Sequence, residues 1–403
     1  MLQYRDAVDK ILEQIAKIPK DFEEISLLNS VDRILAEDII SDVNLPPFTN
    51  SAMDGYAIKY HPEIRKWNII AEIPAGAYKN IIIDDKGAVR IMTGGKLPEG
   101  ADTVIPVEDC INLENTIFVK DDYMLKKLRN TRLLGEDLKI NSVAIPAGTI
   151  FKTNHINLAA ACGKAKVKVF KKLNIGIFAT GDELIPMEQV PENDKIRSSN
   201  IPALIASIKE IKMNAVDFGI CKDNVEILAS KLKEALNTDI DMLITTGGVS
   251  VGKYDFIQDA IKSMGAEVQF WKVNIKPGKP LLFSTYNNGK RVIPIFCLPG
   301  NPVSCYVNFK LFIKNTLLEY CGVKAEEHFM ARLSSDVKKH DGRLHFVMAN
   351  AKFNFDKKYY EVESAGSQSS GTMSTMSKSN CMFLFPEELK LLKEGEWVEC
   401  IRI

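Results

Sequence analysis

The chain has 403 residues with 52 basic and 52 acidic side chains, so its formal net charge is zero. This balance excludes binding of nucleic acid or an anionic membrane by overall charge, so an anionic ligand must meet a local cluster of residues. The length predicts roughly two to four domains. No apolar run reaches membrane-spanning length, and the N-terminal residues lack a secretion signal, so we expect a cytoplasmic protein.

The first part of the chain begins with a helical pattern and continues into short strands. Apolar residues recur at helical spacing from Tyr4 to Lys20 and predict an amphipathic helix. Residues 50–130 alternate between short strand patterns and turn residues, which predicts a β-rich unit. The small apolar residues of Thr153–Cys162, followed by Gly163, predict a second helix.

Strands and helices alternate from Leu173 to about Tyr320. Strand patterns such as LNIGIFA and DMLITT are separated by helical patterns at Ile201–Lys212, Asn224–Leu236 and Phe256–Ser263. This alternation predicts a doubly wound, mostly parallel sheet whose ligand lies beyond the carboxyl ends of the strands. Strand-like segments after Gly322 predict a small all-β module at the end of the chain.

Two turns at the carboxyl edge of the predicted sheet have the composition of anion sites. The turn Thr245–Asp255 is rich in glycine, so its backbone N–H groups are suited to an anion, or it is a tight turn without a ligand. The turn Leu298–Ser304 places Asn301 to cap a helix and Pro302 in its first turn. Such a helix start is a phosphate site or ordinary helix chemistry.

Acidic and basic side chains gather at the same predicted edge. The KPGKP turn holds Lys276 and Lys279 on a stiff frame, which favours an anion between them or is a solvated basic turn. The carboxylates that follow three of the strands are Asp182, Glu183, Asp223 and Asp255. Repeated carboxylates beside a phosphate-binding turn are typical of Mg²⁺ sites, whereas each one alone is explained as a helix cap.

Other segments have a composition that is unusual for plain loops. Turn-rich segments contain Asp54, Thr93 and Asp137. The segment Gly366–Asn380 is rich in serine and threonine. That composition predicts a flexible loop or, alternatively, a set of hydroxyl groups that bind an oxyanion.

Together these motifs resemble the molybdopterin molybdenumtransferase family, which includes bacterial MoeA and the E domain of gephyrin. The matching segments, in the order of the family, are PPFTNSAMDGYA, AEIPAGA, TGGKLPEGAD, LGED, ATGDEL, SSN, TTGGVSVG, KPGKP, LPGNPVS and GRLHF. They extend from about residue 46 to residue 346, and the N-terminal helix and the β tail fit the same plan. Ten short motifs in one order are far more specific than any one of them.

The resemblance implies an α/β multidomain fold with a central MogA-like, doubly wound, mostly parallel sheet domain. We expect a helical or linking domain at residues 1–42 and 136–170, a β-rich domain at 43–135, the sheet domain at 171–323 and a small C-terminal β-barrel domain at 324–403. The resemblance also implies an elongated homodimer. Its active cleft would lie between the sheet domain of one subunit and the β-rich domain of its partner.

The resemblance further implies a reaction of molybdenum cofactor biosynthesis. Adenylated molybdopterin and molybdate are the substrates, the phosphoanhydride is cleaved with Mg²⁺, AMP leaves, and the dithiolene sulfurs bind molybdenum. Contacts with the molybdopterin adenylyltransferase and with molybdoenzyme-specific factors are implied as well. Two alternatives remain open: a molybdopterin adenylyltransferase, because the sheet domain resembles that protein too, and a non-enzymatic scaffold like gephyrin.

The resemblance assigns roles to individual residues. Catalytic roles fall to Glu183, Asp255, Lys276, Lys279, Asp54, Thr93 and Asp137, the last three of which reach across the dimer. The pterin and its phosphates are bound by Asp182, Gly247, Gly248, Ser250, Pro299, Gly300 and Asn301, and the ligands of Mg²⁺ are Asp223, Asp255 and Glu183. Arg343 and Ser370 complete the molybdate site with the two lysines. Where the family often has a second arginine in this region, the chain has Met348.

Overall fold

The computed structural model describes residues 1–74, 76, 79–249, 256–323 and 328–403. Two predicted site residues, Ser250 and Asp255, lie outside these ranges. The described helices are Tyr4–Ile15, Thr153–Ala161, Asn200–Glu210, Val225–Leu236, Phe256–Ser263, Pro302–Asn308, Asn315–Tyr320 and Met373–Lys378, with short 3-10 turns at Leu27–Asn29 and Val107–Asp109 and a π-helical segment at Phe309–Lys314. None of the helices in these ranges is long and apolar enough to cross a membrane.

A six-stranded mixed sheet forms the β-rich part of the chain. Its strands, in spatial order, are Thr103–Pro106, Gly55–Ile58, Gly87–Ile91, Lys66–Ile73, Thr116–Val119 and Cys110–Leu113. The sequence predicted the first five of these strands. The sixth, Cys110–Leu113, was not predicted because it is a four-residue strand whose residues are mostly exposed.

The central sheet also has six strands and is mostly parallel. Their spatial order is Asn214–Cys221, Asn174–Thr180, Met242–Thr246, Val292–Leu298, Leu282–Asn287 and Glu267–Trp271. The first four run parallel, and the fifth runs antiparallel to both of its neighbours. Every residue of Met242–Thr246 is buried, as expected for a parallel strand covered on both faces. The predicted doubly wound, mostly parallel sheet is confirmed.

The turns after the parallel strands are neighbours because the strands end at the same edge. Thr246 lies opposite Ala179 on one side and opposite Leu298 on the other. Residues 181–183, 247–249 and 299–301 therefore follow directly at adjacent positions of the edge. This is the edge at which ligands bind in open α/β sheets.

The C-terminal residues close into a five-stranded β-barrel, as predicted. In order, its strands are Leu344–Asn354, Tyr359–Ser364, His328–Leu333, Trp397–Arg402 and Cys381–Phe385, and the last pairs again with the first. A short strand from the central part of the chain, Ile275–Lys276, adds to the barrel by pairing with Leu344 and His345. The lysine turn therefore lies where the central unit meets the barrel.

The N-terminal segment packs against later parts of the chain. The buried face of the helix Tyr4–Ile15 joins the hydrophobic cluster of the central sheet. Two antiparallel pairs connect early strands with later ones: Phe22–Ser26 with Lys166–Phe170, and Ile39–Ile40 with Val143–Ile145. The division of the chain into four domains at the boundaries given above stays a prediction.

Candidate active site

A cavity of about 760 Å³ opens at the carboxyl edge of the central sheet. Its walls come from the turns that follow the parallel strands, from residues 195–200 and from the Ser/Thr-rich segment of the barrel. The predicted site residues on its lining are Glu183, Asp223, Gly247, Gly248, Pro299, Gly300 and Asn301. The fold thus brings into one cavity residues that lie more than a hundred positions apart in the chain.

Gly247 and Gly248 form a wall of this cavity with backbone atoms. Their φ angles are 96° and 64°, in the left-handed region that favours glycine. A Cβ at Gly247 would lie 2.1 Å from the carbonyl oxygen of Thr180. The amide of Gly247 donates to the carbonyl of Leu298 at 3.1 Å, so it joins two turns instead of facing a ligand. The turn therefore offers a close approach, but the amide of Gly247 is not one of the N–H groups that could face an anion.

Asn200 connects the two glycine-containing turns, a role that the sequence did not predict. Its Nδ2 donates to Thr246 Oγ1 and to the Gly300 carbonyl, both at 2.8 Å. The hydroxyl of Thr246 in turn donates to the Pro299 carbonyl at 3.1 Å. This network fixes the spacing of the turns. Asn200 belongs to the SSN motif, but a polar residue at the first position of a helix usually signals capping, so these contacts were not predicted.

Two basic residues on the cavity lining were also missed. Lys195 Nζ donates to the carbonyl of Asp182 at 2.9 Å, and Arg197 Nε donates to the carbonyl of Gln189 at 2.8 Å. The side chains of Lys195 and Arg197 each have further N–H groups that these two hydrogen bonds do not use. They lie in residues 192–199, which contain no glycine and no helical or alternating apolar pattern, so the sequence carried no signal for them.

Three carboxylates gather where the strand Asn174–Thr180 ends. Glu183 and Asp223 line the cavity, and Asp182 Oδ1 accepts a hydrogen bond from the amide of Asp223 at 3.3 Å. The hydroxyl of Thr180 donates to the Asp223 carboxylate. Among the residues that the structure describes, no three His, Cys, Asp or Glu side chains lie close enough together to hold a metal ion. A cation bound here would therefore need oxygen ligands from the substrate in addition to those from the described side chains.

Helix capping does not account for Asp223. The cap of the helix Val225–Leu236 is Asn224, whose side chain accepts the amides of the second and third helical residues. Asp223 instead accepts a hydrogen bond from the Thr180 hydroxyl and lies on the cavity lining. The carboxylate is therefore available for a ligand.

Asn301 joins the central unit to the barrel. Its side chain was expected to cap the helix Pro302–Asn308, but it makes no capping hydrogen bond. Its Nδ2 donates to Ser370 Oγ at 3.1 Å. The amide of Val303 donates to the carbonyl of Ser370 at 3.2 Å. Two hydrogen bonds thus attach the predicted molybdate-binding serine to the predicted pterin-binding turn. Pro302 does occupy the first helical turn, as expected.

The lysine turn is held by the buried side chain of Asn308. Its Nδ2 donates to the carbonyl of Gly278 at 3.1 Å. Gly278 has a φ of 101°, and a Cβ there would lie 2.4 Å from Asn308 Oδ1. In this turn Pro280 lines the large cavity and Lys276 lines a separate, smaller hollow. Lys279 is not among the described residues that line either one.

The smaller hollow measures about 20 Å³, which is room for a water molecule and not for a tetrahedral oxyanion. Its lining includes Lys276, His345, Met348, Ser367, Ser369 and Thr372. The Ser/Thr-rich segment therefore faces the lysine turn. Composition favoured a flexible loop for Gly366–Asn380, but the segment contains the helix Met373–Lys378. That expectation is wrong for the helical residues.

Arg343 contacts Asp341 and is not among the described residues on the lining of the hollow. Arg343 Nη2 lies 2.7 Å from Asp341 Oδ2, and His345 Nε2 lies 2.8 Å from Asp341 Oδ1. Burial raises the pKa of Asp341, but the hydrogen bonds from Arg343 and His345 outweigh burial and bring this pKa well below its ordinary value. Burial lowers the pKa of His345, partly offset by Asp341.

Asp54, Thr93 and Asp137 are not on the described lining of either cavity within this single chain. Asp54 Oδ1 accepts the amide of Thr93 at 2.7 Å and the hydroxyl of Thr93 at 2.8 Å. These hydrogen bonds lower the pKa of Asp54. Asp137 is exposed, and its amide donates to the carbonyl of Leu45 at 3.0 Å. The structure thus pairs two of the three and leaves all three outside the cavity.

Sequence models of known families match three regions in succession. The MoeA N-terminal region (domain I and II) matches residues 2–163, a probable molybdopterin binding domain matches residues 176–319, and the MoeA C-terminal region (domain IV) matches residues 330–403. A protein of Haemophilus influenzae named molybdopterin molybdenumtransferase is 35% identical over 405 residues, which cover 99% of this chain and 98% of that protein. The chain belongs to the MoeA family.

Further comparisons agree with membership of the MoeA family. A Staphylococcus aureus protein, also named molybdopterin molybdenumtransferase, is 32% identical over 98% of this chain and 94% of its own length. The crystal structure of a molybdopterin biosynthesis MoeA protein from Pyrococcus horikoshii OT3 matches with a TM-score of 0.84 and 28% identity, covering 100% of both chains. The family predicted from the motifs and its α/β multidomain fold are confirmed.

Proposed function

We propose that this chain inserts molybdate into adenylated molybdopterin, with Mg²⁺-dependent cleavage of the phosphoanhydride and release of AMP. Membership of the MoeA family confirms the coarser prediction, a transferase of molybdenum cofactor biosynthesis. The finer proposal is carried by the cavity at the sheet edge, where carboxylates, glycine turns and basic side chains surround about 760 Å³. That volume is in the usual range for small-molecule sites, about 300–1,000 Å³.

The glycine turns and the basic loop suit the diphosphate of the substrate. Gly247 and Gly300 face each other closely, since a Cβ on Gly300 would lie 3.7 Å from the Gly247 Cα. Lys195 and Arg197 bring positive charge to the same cavity. A diphosphate between these walls would meet backbone at close range and cations at one side, which lowers the free energy of its bound state.

The carboxylates on the cavity wall fit Mg²⁺. This ion prefers oxygen ligands and is usually bound by one or two carboxylates together with substrate phosphates. Glu183 and Asp223 would hold it, and Asp255 is the third ligand that the motifs predict. The Thr180 hydroxyl orients the Asp223 carboxylate. When bound, Mg²⁺ neutralises charge that develops on the phosphoryl oxygens.

The lysine turn and the Ser/Thr-rich segment suit molybdate, which is a substrate here. Molybdate is a small tetrahedral dianion, and Lys276 with the hydroxyl-bearing side chains of Ser367 and Ser369 lines the hollow beside the turn. Arg343 and Ser370 are the further donors that we propose for it. The hollow must widen to admit the ion, because it now has room for about one water molecule.

A homodimer would supply the remaining predicted residues. Asp54 and Thr93 form one hydrogen-bonded unit, and Asp137 is exposed, so these side chains are free to meet a second subunit. In the proposed assembly they reach the cavity of the partner, which completes an active site from two chains.

The test is a single incubation with defined substrates. Purified protein is mixed with adenylated molybdopterin, molybdate and Mg²⁺, and AMP and molybdenum-bound pterin are measured. We expect both products to form together, and Glu183→Gln to slow them about 100-fold. Glu234→Gln is the matched control, since Glu234 is exposed on a helix surface beside Lys231.

Two results would contradict the proposal. Formation of adenylated pterin from molybdopterin and ATP, without any insertion of molybdenum, would favour an adenylyltransferase. No product from either pair of substrates would leave a scaffold role.

A further inference from the structure

Four titratable side chains meet where the lysine turn pairs with the barrel. Asp341 Oδ2 lies 2.7 Å from Arg343 Nη2 and 3.9 Å from Lys276 Nζ. The other oxygen, Asp341 Oδ1, lies 2.8 Å from His345 Nε2. One carboxylate thus serves as the common anionic partner of a lysine, an arginine and a histidine.

The backbone fixes this carboxylate in place. Asp341 Oδ1 accepts the amide of Arg343 at 3.1 Å, which makes a local turn of the kind that Asp and Asn both form. Parallel pairing of the lysine turn with the barrel sets Lys276 opposite His345. The Arg343 side chain can therefore swing away from Asp341 while the carboxylate stays with the loop.

A further cation, the buried Lys339, lies beside the cluster. Lys339 is only 5% exposed, and its ammonium group donates to the carbonyls of Arg343, Phe385 and Pro386. This fixes a cation in the same loop as Asp341. Burial lowers the pKa of Lys339, and the nearby carboxylates, first of all that of Asp341, partly offset this effect. The cations in contact with Asp341 keep attraction for a second anion, because one carboxylate carries a single charge.

We propose that Asp341 is the internal counter-ion of the molybdate site: its carboxylate occupies Arg343 and Lys276 until the substrate oxyanion replaces it. The inference rests on the proposed function. The described lining of the hollow beside Lys276 does not include Arg343, which is bound to Asp341 instead. Exchange of partners gives molybdate a guanidinium donor. A dianion outcompetes a single carboxylate for these cations, so Asp341 sets the affinity of the site and favours doubly charged ions.

Equilibrium dialysis with molybdate on the full-length protein tests this. Asp341→Asn removes the competing charge but keeps the turn acceptor, so we expect the dissociation constant for molybdate to fall about tenfold. Asp356→Asn is the matched control: it makes the same change of charge on an exposed turn past the far end of the strand Leu344–Asn354. Its affinity should equal that of the wild type.

The outcomes separate the counter-ion role from the proposed function. If the wild type binds molybdate and Asp341→Asn binds it equally or more weakly, Asp341 is a structural residue and the inference is overturned while the proposed function stands. If no version binds molybdate although all melt cooperatively, both fail. Should Asp341→Asn not fold, Asp341→Ser keeps an oxygen acceptor for the turn and must show the same gain in affinity.

Discussion

The hydroxyl of Thr180, the last residue of a central strand, donates a hydrogen bond to the carboxylate of Asp223. Thr180 is 2% exposed, so a buried hydroxyl fixes a carboxylate that lines the cavity. The register explains the contact, because Thr180 lies opposite Cys221, two residues before Asp223. The geometry of the proposed Mg²⁺ ligand is thus set by the sheet itself.

Thr180→Val should slow molybdenum insertion and raise the Mg²⁺ concentration needed for half-maximal rate. Valine keeps the shape of threonine but leaves the Asp223 carboxylate without its donor, and we expect a loss of about tenfold in rate. The measurement is the rate of AMP release as a function of Mg²⁺. Thr238→Val, which removes a hydroxyl at a helix end that is not on the described cavity lining, is the control. An unchanged Mg²⁺ dependence in Thr180→Val would show that the hydrogen bond has no part in metal binding.

Gly247→Ala and Gly300→Ala should differ in stability although both positions line the cavity. A Cβ at Gly247 meets a backbone oxygen at 2.1 Å and the φ is 96°, whereas at Gly300 the nearest described atom lies 3.7 Å away. We expect Gly247→Ala to lower the free energy of unfolding by about 1–3 kcal/mol and Gly300→Ala by less than about 0.5 kcal/mol. Urea unfolding of both variants checks this. Equal losses would mean that the strained turn relaxes freely.

The sequence predicted much of the sheet edge because local signals coincide there. Glycines that require positive φ, as at Gly247, and acidic residues directly after buried strands, as at Glu183, are visible in the sequence. Parallel strands then bring such turns together without further information. The large cavity follows from these two facts.

The remaining part of the site depends on contacts between distant segments. The sequence places Asn200 at the start of a helix, and only the folded chain shows that it connects Thr246 with Gly300. Arg343 was predicted to face molybdate, but the sequence did not indicate that Asp341, two residues earlier, is its partner. Asn308 lies inside a helical run, and nothing local predicts that it holds the lysine turn.

Mixing of two inactive variants should restore activity if the active site is shared between subunits. Asp54→Asn and Glu183→Gln each disable every site of their own homodimer in the proposed arrangement. A mixed dimer has one intact site, so random exchange should give about one quarter of the wild-type rate. The rate of AMP release is followed after the two proteins are mixed and allowed to exchange subunits. Exchange without any recovery would place both residues in the site of one chain.

The contribution of Asp341 to the stability of the protein should be largest near neutral pH and should decrease in acid. The pKa of Asp341 in the folded state lies below its ordinary value of 3.8, because hydrogen bonds from Arg343 and His345 outweigh burial. The ionised carboxylate therefore stabilises the fold in full above pH 3.8, and this contribution decreases as the pH falls from 3.8 towards the lower pKa of the folded state. Melting temperatures of wild type and Asp341→Asn should differ most near about pH 6, and the difference should shrink progressively as the pH falls below about 4. A difference that stays constant over this range would contradict the assignment.

The most direct test of the account is a crystal structure of the protein with adenylated molybdopterin. We predict that the diphosphate lies against the backbone of Gly247 and Gly300, with the carboxylates of Glu183 and Asp223 directed at its oxygens. The pterin dithiolene should point toward Lys276. A substrate bound at any other surface, with this cavity empty, would contradict the central claim.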